Sequence, residues 1–425
     1  MISRRRFLAT VPGAVVAASL PLRAQGRHGV IGLWTGAVTP GGATVKVLTS
    51  APGVPVGLVA PAGATPGINR TTTADADGVA TFVLTGLAPR TRYRFAVSAP
   101  GGPPTEGSFR TFADGPFSFR VVFASCASTG STSPVFTAMR EQQPDLFVHL
   151  GDLHYENISR NDVLRFRQAY TKVLASPTQS ALFRSVPFAY TWDDHDYGPN
   201  NSDRTSPSRP AALQAYRRFI PHYPLAEAEN APVHQSFMVG RVRFILTDAR
   251  SERSPERLPE GERTMLGATQ LAWLERELDA AKAAPLVVLV NTVPWITKRD
   301  ERTEDGWARY GRERRHVADL IVRHGLTRKL VMLSGDAHML AMDDGTYSQY
   351  STLPEAPARG FVIAHAAPMD RRTSKKGGPY SHPEVTKNGQ FGMMDVTDEG
   401  GAITVRLQGM QGTAKVPGMA LEITT

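Results

Sequence analysis

Polar side chains that are able to bind metal ions follow several apolar, strand-like runs of the sequence. The runs end at Cys126, Asp152, Asp193, Asp248, Asn291 and Asp336. Because ligands bind beyond the carboxyl ends of the strands in α/β sheets, we expect these side chains to converge at one edge. A thiol, several carboxylates and an amide gathered there would form a site for cations.

The stretch YTWDDHDYGPNNSD, residues 190–203, holds the densest group of such side chains. Its aspartates repel one another unless a cation lies nearby or one carboxylate is protonated. Two further stretches, GDLHYEN at 151–157 and SGDAH at 334–338, add phenol, imidazole and carboxylate groups. Hard oxygen ligands suit Ca, Mg or Mn, whereas thiolate and imidazole suit a softer or trivalent transition metal. The residues therefore predict a mixed site with two or more metal ions.

The motifs ASC, GDxxYE, WDDHD…NN and SGDxH occur in this order after a β-rich region. Together they resemble the PhoD-like alkaline phosphatase D family of metallophosphoesterases. The resemblance implies hydrolysis of phosphate mono- or diesters and a site with Fe³⁺ and Ca²⁺, with Zn or Mn as the alternatives. Iron is expected on Cys126, Asp152 and Tyr155. The metal ligands implied by the resemblance are Cys126, Asp152, Tyr155, Asp194, Asp336 and His338.

The broader metallophosphoesterase pattern also implies roles for side chains around these ligands. His195 is expected to contact phosphoryl oxygens together with Asn200 or Asn201, and Asp196 to accept the other N–H of His195. A turn-forming role after the Gly-Pro pair is the alternative for both asparagines. Arg250 fits either a bidentate phosphate clamp or a structural ion pair.

The pattern does not assign a role to every residue of these stretches. Either Asp193 or Asp194 fits the ligand position, and analogy with the metallophosphoesterases favours Asp194. The pattern gives no role to His154 or to Asn157. His149 lies inside an apolar strand and is expected to be a core histidine.

Two regions with different sequence patterns must position these residues. Residues 27–113 consist of short alternating runs between Gly/Pro/Asp turns and predict a small all-β sandwich of the fibronectin type III or immunoglobulin-like kind, with Tyr93 as a tyrosine corner. Residues 114–425 alternate strands with helices, and the resemblance implies an α/β metallophosphatase domain with a four-layer αββα core. The predicted helices span residues 134–143, 160–174, 208–220, 268–283 and 312–324.

Residues 1–26 are interpreted as a signal peptide. SRRRFLAT places consecutive arginines before a short apolar run, which resembles a twin-arginine export signal; an ordinary secretory signal with a basic start is the alternative. The apolar run is too short to span a bilayer, which takes roughly 20 apolar residues, so no transmembrane helix is expected after the signal is removed. The protein is therefore expected to meet the twin-arginine export machinery and to be periplasmic or secreted.

Composition excludes several other classes. Net charge is +9, and removing Arg4, Arg5, Arg6 and Arg23 with the signal leaves about +5. No dense basic stripe with interleaved aromatics indicates a nucleic-acid-binding module. With one cysteine there is no intrachain disulfide. The 11 histidines are few for an enzyme of the purple acid phosphatase type, in which we expect a histidine-rich ligand set.

The function predicted from the sequence is an exported, metal-dependent phosphoesterase that uses metal-activated water. Its substrate is expected to be a small-molecule or polymeric phosphate ester. The alternative is a catalytically inactive cell-envelope protein that binds a partner through the β-sandwich and keeps the metal site as a remnant.

Overall fold

The computed structural model describes residues 29–61, 67–297 and 305–425. The predicted signal peptide, residues 1–26, lies outside the described residues. Within the described part of the chain, no helix is both long enough and apolar enough to cross a membrane.

The described residues form nineteen strands and seven α-helices, together with four short 3-10 helices. The strands of the N-terminal region are β1 (Val30–Gly36), β2 (Gly42–Thr49), β3 (Pro55–Ala60), β4 (Ile68–Thr73), β5 (Val79–Thr85), β6 (Arg92–Ser98) and β7 (Thr105–Arg110). The strands that follow are β8 (Phe119–Ala124), β9 (Leu146–His149), β10 (Phe188–Tyr190), β11 (Gln235–Val239), β12 (Val242–Leu246), β13 (Leu286–Val290), β14 (Leu330–Ser334), β15 (Leu340–Asp343), β16 (Val362–Ala366), β17 (Gln390–Asp398), β18 (Ile403–Gln411) and β19 (Ala414–Thr424). The helices are α1 (Val135–Glu141), α2 (Val163–Ala175), α3 (Pro177–Phe183), α4 (Asp194–Tyr197), α5 (Arg209–Phe219), α6 (Gly267–Ala280) and α7 (Gly311–Arg323).

Two large sheets stack between two layers of helices. The first sheet has the order β19-β18-β17-β8-β9-β10-β1-β2-β5, and the second has the order β11-β12-β13-β14-β16-β15. Alternate residues of each central strand face opposite sides, so Val121 and Phe123 of β8 pack between the sheets whereas Val122 packs against helices. Helices α1, α2, α3 and α5 cover the first sheet, and α6 and α7 cover the second. The predicted αββα class is thereby confirmed.

The N-terminal region is an all-β sandwich, as predicted. Its separate sheet has the order β4-β3-β6-β7, while β1, β2 and β5 continue the first large sheet. The tyrosine corner is present, since the hydroxyl of Tyr93 accepts a hydrogen bond from the N–H of Ala88 at 2.9 Å. The predicted boundary between residues 113 and 114 falls between β7 and β8, and the division into domains stays a prediction.

Parallel pairing brings the strand ends together. β8, β9 and β10 are parallel neighbours in the first sheet, and β12, β13, β14 and β16 are parallel neighbours in the second. These strands are rich in Val, Leu, Ile and Phe and are buried on both faces, as parallel strands between layers are. Their carboxyl ends carry the loops described next.

Candidate metal centre

Three of the predicted ligands lie directly beyond strand ends in an unusual backbone conformation. Cys126, Asp152 and Asp336 have φ angles of 65°, 57° and 67°. Residues other than glycine rarely adopt this left-handed region, which costs about 1–3 kcal/mol each and clusters at functional sites. The N–H of Cys126 donates to the carbonyl of Gly151 at 3.2 Å, which ties the β8 end to the β9 end.

The first group of donors consists of Cys126, Asp152, Tyr155 and His338. The sulfur of Cys126 lies 3.5 Å from Oδ2 of Asp152, and the hydroxyl of Tyr155 donates to that same oxygen at 2.6 Å. Nε2 of His338 lies 3.2 Å from the Tyr155 hydroxyl. Nδ1 of His338 donates to the backbone carbonyl of Arg372, an arrangement typical of metal-binding histidines because it fixes the ring and leaves Nε2 as the ligand atom.

The second group consists of Asp193, Asp194 and Asp336, whose carboxylates each offer an oxygen within 4.8 Å of the others. Oδ1 of Asp193 accepts from Arg250 Nε at 2.6 Å and from Thr292 Oγ1 at 3.0 Å, whereas its Oδ2 is buried with no hydrogen-bond partner. Such an orphaned carboxylate oxygen is rare in a folded protein and fits a cation among these side chains.

The electrostatics of both groups favour bound cations. Burial raises the pKa of Asp152 well above its ordinary value, and the charges of Asp194 and Asp193 raise it further. Burial also raises the pKa of the Cys126 thiol and of the Tyr155 phenol, and the charge of Asp152 adds to both. A cation among these groups would stabilise their anionic forms, so the residues present fit a metal centre.

His195 is held by Asn157, a residue to which the sequence motifs assign no role. Nδ1 of His195 lies 2.6 Å from Oδ1 of Asn157, and the imidazole packs on the Tyr155 ring with 4.0 Å between centroids. The role predicted for Asp196 as the acceptor of His195 is wrong. The carboxylate of Asp196 instead accepts the backbone N–H groups of His154 and Asp193, both at 3.1 Å, because its position in the first turn of α4 directs it into the protein.

Arg250 is enclosed rather than open to a substrate, so its predicted phosphate-clamp role is wrong and the ion-pair alternative is right. Its side chain is 0% exposed, and its guanidinium donates to Asp193, to Asp305 and to the carbonyl of Ser202. A buried guanidinium needs such partners because an uncompensated buried charge is strongly unfavourable. Arg250 therefore fixes Asp193 and offsets part of the negative charge of the site.

The two predicted asparagines lie at the rim, and their side chains are exposed. Asn201 contributes its backbone, because its N–H donates to Oδ2 of Asp194 at 2.6 Å, and its φ of 57° forms the turn. This contact orients Asp194. A phosphate contact by the side chain of Asn200 or Asn201 stays a prediction.

Two of the predicted strand-end residues use their side chains for local hydrogen bonds. Asp248 accepts hydrogen bonds from Trp192 Nε1 and from the N–H of Arg250, and Asn291 accepts from the N–H of Val293. Both side chains stabilise their own loops. In the described residues, Asp248 belongs to no group of carboxylate, imidazole or thiol donors close enough to hold a metal ion.

The contacts of a basic surface loop and of one asparagine with the site were not predicted from the sequence. Residues 370–377, DRRTSKKG, lie beside the donors, with Lys376 in contact with Asp336 and Arg371 in contact with Tyr155. The density of Lys and Arg in this loop was the available signal. Asn157 sits in the GDLHYEN stretch, but only the three-dimensional structure shows that it meets His195.

Comparison with known proteins gives a family match over most of the chain. A family model described as PhoD-like phosphatase matches residues 121–408. Alkaline phosphatase D of Bacillus subtilis (strain 168) is 24% identical over 264 residues, which are 51% of this chain and 45% of the relative. The chain therefore matches less than half the length of that protein.

Two solved structures share the fold. A structure described as that of PhoD superposes with a TM-score of 0.74 at 19% identity, covering 93% of this chain and 88% of the other. The purple acid phosphatase PPD1 from seeds of yellow lupin (Lupinus luteus) superposes with a TM-score of 0.65 at 14% identity, covering 94% of this chain and 74% of the other. Both matches extend over the sandwich as well as the four-layer core.

Proposed function

Because the chain belongs to the PhoD-like phosphatase family, we propose that it is a metal-dependent phosphoesterase that hydrolyses phosphate esters. The observation that supports this most directly is the pair of donor groups at the strand ends, which combine a thiol, a phenol, an imidazole and carboxylates in one buried site. The family match supports the reaction class, and the donor groups support the metal dependence.

The two donor groups differ in chemistry, and so do the ions that we assign to them. Cys126, Asp152, Tyr155 and His338 would hold Fe³⁺, because thiolate and phenolate suit a trivalent transition metal. Asp194 and Asp336 would hold Ca²⁺ through carboxylate oxygens, with Zn or Mn as alternatives to either ion. When bound, such ions supply Lewis acidity that polarises a phosphoryl oxygen and lowers the pKa of water.

The surrounding residues would position the substrate and move the proton. With Nδ1–H of His195 donated to Asn157, Nε2 is the ring nitrogen left to contact a phosphoryl or leaving-group oxygen. Arg250 holds Asp193 in place from behind the site. All of these residues belong to the proposed catalytic domain, residues 114–425, while the proposed sandwich domain, residues 27–113, supports it.

The test is metal analysis combined with hydrolysis. The protein is produced with its N-terminal segment, purified without chelator, and analysed for Fe, Ca, Zn and Mn per chain. We expect about one Fe with one or more Ca, and hydrolysis of p-nitrophenyl phosphate or of its bis ester that chelation abolishes and metal addition restores. Full activity after complete chelation, or no hydrolysis of either ester by metal-loaded protein, would rule the proposal out.

Iron on the phenol and thiol has a spectroscopic consequence. Thiolate or phenolate on Fe³⁺ should give the purified protein a visible charge-transfer band. The Y155F and C126S variants are each expected to weaken or shift that band, because each removes one ligand atom. An iron-containing protein without visible absorption would contradict the assignment of Cys126 and Tyr155.

Export is proposed from residues 1–26 alone. Replacing Arg4, Arg5 and Arg6 by lysine keeps the charge but removes the arginine pattern. We expect this variant to stay inside the producing cell while the unchanged protein reaches the periplasm or the medium. Equal export of both proteins would favour an ordinary secretory signal.

A further inference from the structure

The loop at residues 370–377 lies against the candidate metal centre and is firmly attached to it. The N–H of Ser374 donates to the carbonyl of His338 at 3.2 Å, and the carboxylate of Asp370 accepts the N–H of Ser128 at 2.5 Å. At its far end, a Cβ on Gly377 would lie 2.4 Å from the carbonyl of Ile296, so the backbone passes too close for any larger residue. The loop therefore presents its side chains to the site in fixed positions.

Lys376 reaches the second donor group from this loop. Its Nζ lies 3.0 and 3.1 Å from the two oxygens of Asp336, and its side chain is 27% exposed. Burial disfavours its charge, but the negative charges of Asp336, Asp305 and Asp194 raise the pKa of Lys376. An ammonium has three N–H donors, and both of these contacts go to a single carboxylate, so a donor remains for another anion.

Arg371 reaches the first donor group from the same loop. Its guanidinium lies 3.9 Å from the centroid of the Tyr155 ring, and Nη1 donates to Ser128 Oγ at 3.3 Å. Its Nε is buried and has no hydrogen-bond partner. A buried N–H without a partner is costly, and a ligand oxygen would satisfy it.

The two cations thus stand at opposite groups of donors. Arg371 is beside Tyr155, which contacts Asp152 and His338, whereas Lys376 is beside Asp336. A phosphoryl group lying across both donor groups would meet a guanidinium at one end and an ammonium at the other. We propose that Arg371 and Lys376 form a clamp that binds the phosphoryl oxygens of the substrate, an inference that rests on the proposed phosphoesterase function.

Lys375 provides a matched control within the same loop. It carries the same charge, but it pairs with Glu384 and its side chain is 62% exposed. A general effect of loop charge on anions would appear in K375M and K376M alike. An effect of the clamp appears only in K376M and R371M.

The experiment measures inorganic phosphate, the simplest phosphoryl ligand, by calorimetric titration of the metal-loaded holoprotein. We expect K376M and R371M each to weaken phosphate binding about 10- to 100-fold, as loss of a charge-assisted hydrogen bond does. K375M should stay within about twofold of the unchanged protein, and K376R and R371K should recover part of the loss because they keep a cation. In ester hydrolysis, the same variants should raise KM more than they lower kcat.

The outcomes separate this inference from the proposed function. If the unchanged protein hydrolyses esters but K376M and R371M bind phosphate as it does, the clamp is wrong and the phosphoesterase stands. If the unchanged protein hydrolyses no ester, the proposed function fails, and phosphate binding still decides the clamp. Equal loss of phosphate affinity in K375M and K376M would also overturn the clamp. Metal content of each variant is measured in parallel, so that loss of an ion is not mistaken for loss of the clamp.

Discussion

The orientation of one imidazole depends on a hydrogen bond between residues 38 positions apart in the chain. Asn157 holds Nδ1 of His195 at 2.6 Å, while the Tyr155 ring packs on one face of the imidazole. Two restraints of this kind leave the ring little freedom. A catalytic histidine gains from such restraint because the nitrogen that contacts the substrate is then already in place.

Replacing Asn157 by alanine should therefore lower kcat while the metal ions stay bound. We expect a loss on the order of 10-fold, the lower end of the effect of removing such a partner. In N157D the carboxylate should keep the ring oriented and raise the pKa of His195, so activity should return with a pH profile shifted upward. N161A, which replaces an exposed asparagine of the same loop, is the control. Steady-state kinetics of these variants across pH measure both effects. An unchanged kcat in N157A would show that Asn157 does not orient His195 for the reaction.

His149 affects stability rather than chemistry. It lies on β9 with 0% exposure, surrounded by Phe147, Phe188 and Tyr190, and neither ring nitrogen has a hydrogen-bond partner. Burial lowers the pKa of His149 to about 3. Below pH 6.5, His149 binds a proton in the unfolded chain but stays neutral in the folded chain, so acid favours unfolding.

The H149F variant should therefore be less sensitive to acid. As pH falls from about 6.5 toward 4, this one histidine is expected to reduce the free energy of unfolding by up to ~1.4 kcal/mol per pH unit. Phenylalanine fits the aromatic surroundings and removes the titration, while H316F on the exposed side of α7 serves as the control. Urea unfolding at several pH values measures the slope. Parallel slopes for H149F and the unchanged protein would show that His149 is not the cause.

At the scale of the elements, the turns beyond the strands decide where the ligands lie. Gly151 precedes Asp152 with a φ of 95°, and a Cβ there would lie 2.5 Å from Cβ of Asp193 and 2.9 Å from its backbone nitrogen. The end of β9 and the start of α4 therefore approach each other closely, which is possible because Gly151 has no side chain. This close approach brings Asp152 beside Asp194.

The G151A variant tests that approach, with G53A as its match. Gly53 also has a positive φ, 70°, but a Cβ at this position would have no neighbouring atom within 4 Å. G53A should lower the free energy of unfolding only by the cost of placing alanine in a left-handed backbone conformation, about 1–2 kcal/mol. G151A should cost more and should also reduce bound metal, because the β9 turn must move away from Asp193. Urea unfolding and metal analysis of both variants measure this; equal losses of stability with full metal content would show that the contact is unimportant.

Much of the secondary structure was predictable, because it depends on local signals. The predicted helices at 134–143, 160–174, 208–220, 268–283 and 312–324 correspond to α1, α2, α5, α6 and α7 within a few residues. Helices α3 and α4 were not predicted, because they have seven and four residues, too few to display a helical period. Ser176 followed by Pro177 was a usable start signal for α3.

The contacts of the site were less predictable than the elements. The strand ends and the motifs predicted that Cys126, Asp152 and Asp336 lie close together. His195 contacts Asn157 rather than Asp196, and Arg250 forms a buried ion pair with Asp193. Both contacts depend on side-chain directions that tertiary packing sets. A single sequence contains no local signal for these directions.

At the scale of the whole molecule, the sandwich and the core share one sheet. β1 pairs with β10 in parallel, and β2 and β5 extend the same sheet outward. Trp34 of β1 is 1% exposed, stacks on Phe188 with 5.6 Å between centroids, and donates its Nε1–H to the carbonyl of Phe219 at 2.7 Å. Lys46 of β2 also donates to a carbonyl of α5, that of Arg217, at 2.9 Å. These contacts indicate that the N-terminal region stabilises residues 114–425 rather than merely being attached to them.

The W34A variant should therefore destabilise the entire protein and not the sandwich alone. Loss of a large buried aromatic side chain costs about 3–5 kcal/mol, whereas V83A on the same sheet, where Val83 is 68% exposed, should change stability by less than about 0.5 kcal/mol. Because Trp34 packs among residues of β10 and α2, we expect circular dichroism, tryptophan fluorescence and ester hydrolysis to be lost in one coincident urea transition, shifted to lower urea in W34A. If hydrolysis instead survived a first transition that unfolds residues 29–113, the two regions would be independent, and the shared sheet would not be what stabilises residues 114–425.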